Sequence, residues 1–374
     1  MEETKSSPDL LDVMVQPGFY VENFMITRLN AAAEGLLLSP GMDIRPLITA
    51  GLAEYEGFLG GCLYLRLGLG QQSVGASVTR QGDVDVFLLD TRESDSALQA
   101  LSLAARELRD PLAAIMVSAD ALQGDDAQLA LLNRGVHQML RIIGNMSDAC
   151  RAPSASRQET MDIDALFAEI FEKAAALAET AGVRIRYQGL EKPVLCLADR
   201  EQLERAVLNL ISNALKFAPA GGYLDASLTK SGKMLRFSIR DNGPGFAQNL
   251  LGNAFNRYLR QPCIEDGRIG LGLGLVLVRT AAASHGGAVL IDQPEGGGAR
   301  VTMTMEIRQN APGTLRSPVL RVDYAGEQDH ALVELADCLP AEVYKKETRV
   351  TSRPKALPFG EGGRATARSG EAPR

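Results

Sequence analysis

The sequence predicts an α/β protein of several domains. Three observations predict it. The chain has 374 residues, 45% of them hydrophobic, which is more than one core of ordinary size takes up. Residues 18–90 read as short strands joined by glycine-containing turns. Beyond them the apolar spacing changes, first to two long runs of alternating threes and fours, then to helix-like and strand-like segments in turn.

Composition excludes several functional classes. Asp and Glu number 46 against 39 Lys and Arg, a formal net charge of -7, so no basic face is available to neutralise nucleic-acid phosphates. Cys62, Cys150, Cys196, Cys263 and Cys338 are scattered, with no CxxC pair, so neither a zinc site nor a disulfide framework is expected. The N-terminus is polar, without the apolar core of a secretory leader. No apolar run approaches the ~18 residues that cross a bilayer, so no membrane span and a soluble, cytoplasmic chain are expected.

Residues 1–93 form the first unit. Gly18–Asn30 reads as two short strands with a turn near Glu22 and Asn23, and Ala31–Leu37 has helical composition. Leu63–Leu67, Gln72–Val78 and Asp83–Asp90 are three further strand candidates. This order, with the segment VENFMITRLNAAAEGLL, resembles a PAS domain, which implies a sensor module. No histidine precedes His137, so a histidine-ligated haem is excluded there.

Residues 94–151 read as a helical hairpin. Apolar residues fall at Leu98, Leu101, Ala105, Leu108, Leu112, Ile115, Ala119 and Leu122, then, after a Gly124-Asp-Asp turn, at Leu129, Leu132, Val136, Met139, Ile143 and Met146. One hairpin buries only half of such seams, so a second copy completing a four-helix bundle is expected. The segment Arg106-Glu-Leu-Arg-Asp-Pro-Leu112 resembles the dimerisation and phosphoacceptor helix of sensor histidine kinases, His-Glu-Leu-Arg-Thr-Pro-Leu. The acceptor position departs from that pattern, because it holds Arg106. A guanidinium stays protonated and is no phosphoryl nucleophile. Glu107, which the resemblance makes the acceptor's base, then lacks its partner. His137, beside seam residue Val136, is the alternative acceptor in the same hairpin. Pro111 is expected to kink the first helix.

Residues 152–308 carry three motif clusters. A helix begins at Asp162, strands follow at Val183–Tyr187 and Val194–Ala198, and Asp199 caps a helix over Arg200–Phe217. On it Glu201, Arg205, Asn209, Asn213 and Lys216 share one face, opposite Leu203, Val207, Leu210 and Leu215. An asparagine oxygen can ligate Mg2+, and Lys216 can neutralise a phosphate. The alternating strand Leu235–Asp241 ends in a carboxylate, and Gly243 and Gly245 let the backbone turn tightly beside it. Residues 246–269 read as a lid, with Arg257 and Arg260 as phosphate contacts. Gly270, Gly272 and Gly274 then open a helix at Leu275, a helix start suited to phosphate.

These clusters resemble the GHKL ATP-binding domain in its histidine-kinase form, an α/β sandwich. The matching segments are Asn209-Leu-Ile-Ser-Asn213-Ala-Leu-Lys216, Asp241-Asn-Gly243-Pro-Gly245, Phe255, Gly270-Leu-Gly272-Leu-Gly274-Leu275 and His285-Gly-Gly. The resemblance implies ATP and Mg2+ as cofactors, with Asn213 on the metal, Asn209 and Lys216 serving the phosphates, Asp241 holding adenine and the glycines lining the phosphate tail. Related ATP-hydrolysing enzymes carry a glutamate base where this chain has Asn209, so steady hydrolysis is not expected. His285 is expected to be structural. Residues 309–344 form a small appendage with a strand at Val319–Tyr324 and a helix at Leu332–Leu339; residues 345–374 read as disordered. Taken together, the resemblance implies a dimeric signalling protein of a two-component phosphorelay. It would transfer the γ-phosphoryl of ATP to a histidine and act with a response regulator or partner kinase. The alternative is a pseudokinase that binds ATP as a conformational ligand.

Overall fold

A computed structural model of the chain describes residues 11, 14–90, 93–122, 124–148, 158–246, 255, 272–309 and 329–345. Among them, no helix is long and apolar enough to cross a membrane.

The first unit is an antiparallel sheet of β1 (Gly18–Glu22), β2 (Met25–Leu29), a short β3 (Ile48–Ala50), β4 (Cys62–Leu69), β5 (Gln72–Gln81) and β6 (Val84–Leu89), with a five-residue helix α1 (Leu52–Glu56). The main strands run in the order β2-β1-β6-β5-β4, and β3 pairs with β4. Phe19, Ile26, Leu65, Val78 and Phe87 fill its core. Asn23 and Phe24 make the β1–β2 turn at φ 49° and 67°. The helix expected at Ala31–Leu37 is absent; those residues are turns and bends. The buried Asn30 side chain explains this, because its Oδ1 accepts from both Gly18 N–H and Ala33 N–H, at 3.0 and 3.1 Å. A side chain that bonds the following backbone competes with helical pairing.

The hairpin is α2 (Glu93–Ala121) and α3 (Asp126–Asp148). Pro111 sits inside α2, which continues through it. Only half of the seam is used: Ala105 and Leu112 cluster with Val136 and Ile143 of α3 and Ala119 is buried, while Leu108, Ile115, Leu122, Leu132 and Met139 are exposed. The side chains of Leu98 and Leu101 lie outside the described residues.

The third unit is a two-layer α/β sandwich. Strands β8 (Arg184–Gln188), β10 (Tyr223–Ser231), β11 (Met234–Asp241), β12 (Val289–Asp292) and β13 (Arg300–Glu306) form the sheet, ordered β12-β13-β11-β10-β8. Helices α4 (Ile163–Thr180), α5 (Arg200–Phe217) and α6 (Gly274–Ser284) cover it. Phe167 and Phe171 of α4 meet Phe237 of β11 at ring distances of 4.9 and 5.9 Å. Asp162 and Asp199 cap α4 and α5 by accepting from Asp164 N–H and Gln202 N–H. A further strand, β7 (Glu159–Asp162), pairs with β9 (Leu195–Ala198).

The appendage packs on this sandwich. It consists of a short helix α7 (His330–Glu334), turns, and a 3-10 helix over Ala341–Tyr344. The helix is shorter than expected, ending before Leu335, and Pro340 precedes the 3-10 turn. The strand expected at Val319–Tyr324 and the tail beyond residue 345 lie outside the described residues.

Candidate functional site

Helix α5 is the centre of the site. Its apolar face, including Leu203, Val207 and Leu210, is buried in the sandwich core. Its polar face carries Asn209 and Asn213, and glycine at 274 lets α6 start directly against them. A Cβ there would sit 3.0 Å from Asn209 Oδ1 and 3.5 Å from Asn213 Nδ2. Gly272, just before, has φ 72°, a conformation that other residues rarely adopt. Leu275 turns into the core.

The Asp241 loop meets the C-terminal end of α5. A Cβ on Gly243 would lie 2.6 Å from Phe217 O. Asp241 is 9% exposed, and its Oδ1 accepts from Gly243 N–H at 2.8 Å and Ala299 N–H at 3.3 Å. Oδ2 makes no hydrogen bond among the described residues, which leaves one carboxylate oxygen free for an amino donor. Burial pushes the Asp241 carboxyl above its usual range, against the pull of those two N–H groups. Gly245, at φ 79°, faces Gln293 and Gly298 O. The sheet and α5 thus bring together Asn209, Asn213, Lys216, Asp241, Gly243, Gly272 and Gly274. Arg257, Arg260 and Gly270 lie outside the described residues.

The donor set fits a magnesium nucleotide in kind. The Asn213 amide has no hydrogen-bond partner among the described residues, so its oxygen is available to a hard cation. Asn209 and Lys216 differ. Asn209 is fully buried and donates to Glu334 Oε2 at 3.4 Å, and Lys216 Nζ bonds Asp337 Oδ2 at 2.8 Å. Arg205, on the same face, pairs with Glu334 Oε1 at 3.1 Å and with Asp148. Arg141 of α3 reaches Glu334, Asp337 and Asn209 Oδ1.

These partners were missed from the sequence. The available signal was two acids, Glu334 and Asp337, three apart in the otherwise apolar run Ala331-Leu-Val-Glu-Leu-Ala-Asp-Cys-Leu339. Isolated acids in such a run are either solvated or paired with a buried cation.

The remaining candidates are on or beside the hairpin. Arg106 and Glu107 are both exposed. His137 is half-buried, with Nδ1 2.8 Å from Asn133 O and its ring 4.9 Å from that of Tyr344. His285 is buried in the sandwich and bonded to the backbone on both ring nitrogens.

Residues 198–309 match the family model described as histidine kinase-, DNA gyrase B-, and HSP90-like ATPase. An uncharacterized sensor-like histidine kinase of Rhizobium meliloti is 29% identical over 72% of this chain and 53% of its own length. Sensor protein SphS of Synechococcus elongatus is 31% identical over 60% of each chain, and sensor protein QseC of Salmonella typhi 30% identical over 52% of this chain and 44% of its own. The chain thus spans about half the length of these curated relatives. Among solved structures, full-length ShkA in complex with AMPPNP aligns at 24% identity and TM-score 0.48, over 57% of this chain and 47% of that one. Histidine kinase ThkA in complex with response regulator TrrA aligns at 14% identity and TM-score 0.42, over 81% and 99%. With its motif clusters assembled around one helix inside the matched domain, the chain carries a histidine kinase-like ATPase domain over residues 198–309 and is similar to sensor histidine kinases.

Proposed function

We propose that the chain is a homodimeric, cytoplasmic signalling protein of a two-component phosphorelay that binds Mg-ATP on α5 and hands its γ-phosphoryl to a histidine. In that step an imidazole nitrogen attacks the γ-phosphorus, the N–P bond forms, the β–γ bridging P–O bond breaks, and ADP leaves. The imidazole proton passes to a neighbouring base. Asn213 serves the metal, Asp241 the adenine amino group, and the N-terminal PAS-like module the input signal. The single observation that carries this reading is the meeting of Asn209 and Asn213, from the middle of α5 onward, with Gly274, and of Asp241 and Gly243 with the C-terminal end of the same helix.

Arg106 favours a second reading. It occupies the acceptor position on an exposed flank of α2, and Glu107 beside it has no histidine to deprotonate. A pseudokinase that binds ATP and regulates a true kinase or response regulator needs neither. In the first reading the acceptor is His137 or a histidine of a partner chain.

Incubation with γ-labelled ATP separates them. Acid-labile label that disappears in His137→Gln supports the acceptor within this hairpin. No label, with ATP binding measured in the same sample, rules out autophosphorylation and leaves the pseudokinase. Asp241→Asn is expected to weaken ATP at least tenfold, because one buried acceptor of a hydrogen bond becomes a donor.

A further inference from the structure

The residues that family resemblance assigns to the phosphates are already satisfied from within the chain. Residues 329–345 are held to the sandwich by Ala331, Leu335, Ala336, Leu339, Val343 and Tyr344, all buried in its core cluster. Asp329 caps α7 by accepting from Ala331 N–H at 2.8 Å. This anchoring aims two carboxylates at α5. Asp337 takes Lys216 at 2.8 Å, and Glu334, with no exposed surface, takes the Asn209 amide and Arg205. The adenine and metal ends remain open among the described residues, where Asp241 Oδ2 and the Asn213 amide have no hydrogen-bond partner.

We propose that residues 329–345 are a built-in inhibitor of the ATP site, in which the carboxylates of Asp337 and Glu334 stand in for phosphate oxygens on Lys216 and Asn209. This rests on the reading of α5 as a nucleotide site. A carboxylate and a phosphate need the same ammonium and amide donors, so segment and triphosphate exclude one another at Lys216. A ligand with adenine but no phosphates meets no such competition.

The segment also ties α5 to the hairpin. Arg141 spans Glu334 and Asp337, Arg134 donates to Ala336 O at 3.1 Å, and Asn133 donates to Tyr344 O at 3.1 Å. The Tyr344 ring lies over His137. One segment therefore covers both the phosphate donors and the hairpin's histidine, and its displacement frees both.

Asp337 is the residue to change. It is partly exposed, whereas Glu334 is fully buried and its removal takes a carboxylate from both Arg205 and Arg141. In the full chain, Asp337→Asn is expected to tighten ATP roughly tenfold while leaving adenosine unchanged. Saturating Mg-ATP is expected to raise amide hydrogen exchange across residues 330–345 of the unmodified protein. Ser212→Cys supplies a lock, since Ser212 Oγ lies 3.4 Å from Cys338 Sγ. Oxidation of that variant, verified by mass, should weaken ATP at least tenfold, and a reductant should restore it. The proposal is overturned if ATP and adenosine both bind but neither Asp337→Asn nor the closed lock changes the ATP affinity. Absence of binding by either ligand, in every variant, overturns the nucleotide site itself and the inhibitor with it.

Discussion

His285 shows how burial alone can fix a side chain's chemistry. Its Nδ1 lies 2.7 Å from Ala281 O and its Nε2 accepts from Asp199 N–H at 3.1 Å, so the ring joins the end of α6 to the cap of α5. Those bonds require the neutral tautomer with the proton on Nδ1. Burial holds its pKa below the ordinary imidazole value, and the helix carbonyl only partly opposes it. The sign for stability follows. The unfolded chain takes up this proton first, near pH ~6.5, so the contribution of His285 is complete above that value. It is lost as pH falls toward the lower folded-state pKa, by at most about 1.4 kcal/mol per pH unit for one proton. Urea midpoints between pH 7.5 and 5.5 should therefore fall more steeply for the unmodified protein than for His285→Gln. Parallel pH dependences would show that the ring does not titrate with unfolding.

At the scale of elements, the hairpin is the incomplete one. Leu108 and Ile115 of α2 and Leu132 and Met139 of α3 stay exposed, while Ala105, Leu112, Val136 and Ile143 close the hairpin internally. A second copy laid against these columns would bury them. The double change Leu108→Glu, Ile115→Glu is expected to give monomers by sedimentation at micromolar concentration while helix content holds, since both sites face away from the internal contact. A dimer that survives the change would place the interface elsewhere. This element was legible because a three-four spacing records a face directly. So were the strands over residues 62–89, the caps Asp162 and Asp199, and the clusters around Asn213 and Asp241, all of which are local patterns. Ala31–Leu37 was misread because Asn30, bonding across to Gly18 as well as to Ala33, overrides helical composition. The cover over Asn209 was not legible because Glu334 pairs with Arg205 and Arg141 across 129 and 193 residues, and no periodicity records such a partner.

Across the whole molecule, the N-terminal module and the ATPase domain share one sheet. Strand β4 pairs with β12, with Cys62 opposite Ile291 and Tyr64 opposite Val289, so the strands of both units run as one eleven-stranded sheet. The cores interpenetrate as well: Cys62 and Tyr64 belong to the ATPase core, and Ala288 to that of the module. Arg279, buried in α6, closes the junction by donating to Asp90 Oδ1 at 2.9 Å and lying 4.8 Å over the Tyr64 ring. Tyr64 in turn donates to Asp90 Oδ2 at 2.8 Å, and burial raises its pKa to about 12. Units joined by backbone ladders and a shared core should unfold together, because neither can leave without exposing the other's edge. Gly61 is where this can be tested. It sits at φ 92°, and a Cβ there would fall 2.1 Å from Ile291 O. Gly61→Val is therefore expected to push β4 from β12 and to destabilise the joined fold by about 2 kcal/mol or more. With no tryptophan in the chain, circular dichroism and hydrogen exchange are the suitable probes. The unmodified protein should lose protection in β4, β12 and β13 in one denaturant transition, and the variant should lose β4 separately and earlier. Two separate transitions in the unmodified protein would mean that the shared sheet does not couple the N-terminal module to the ATPase domain.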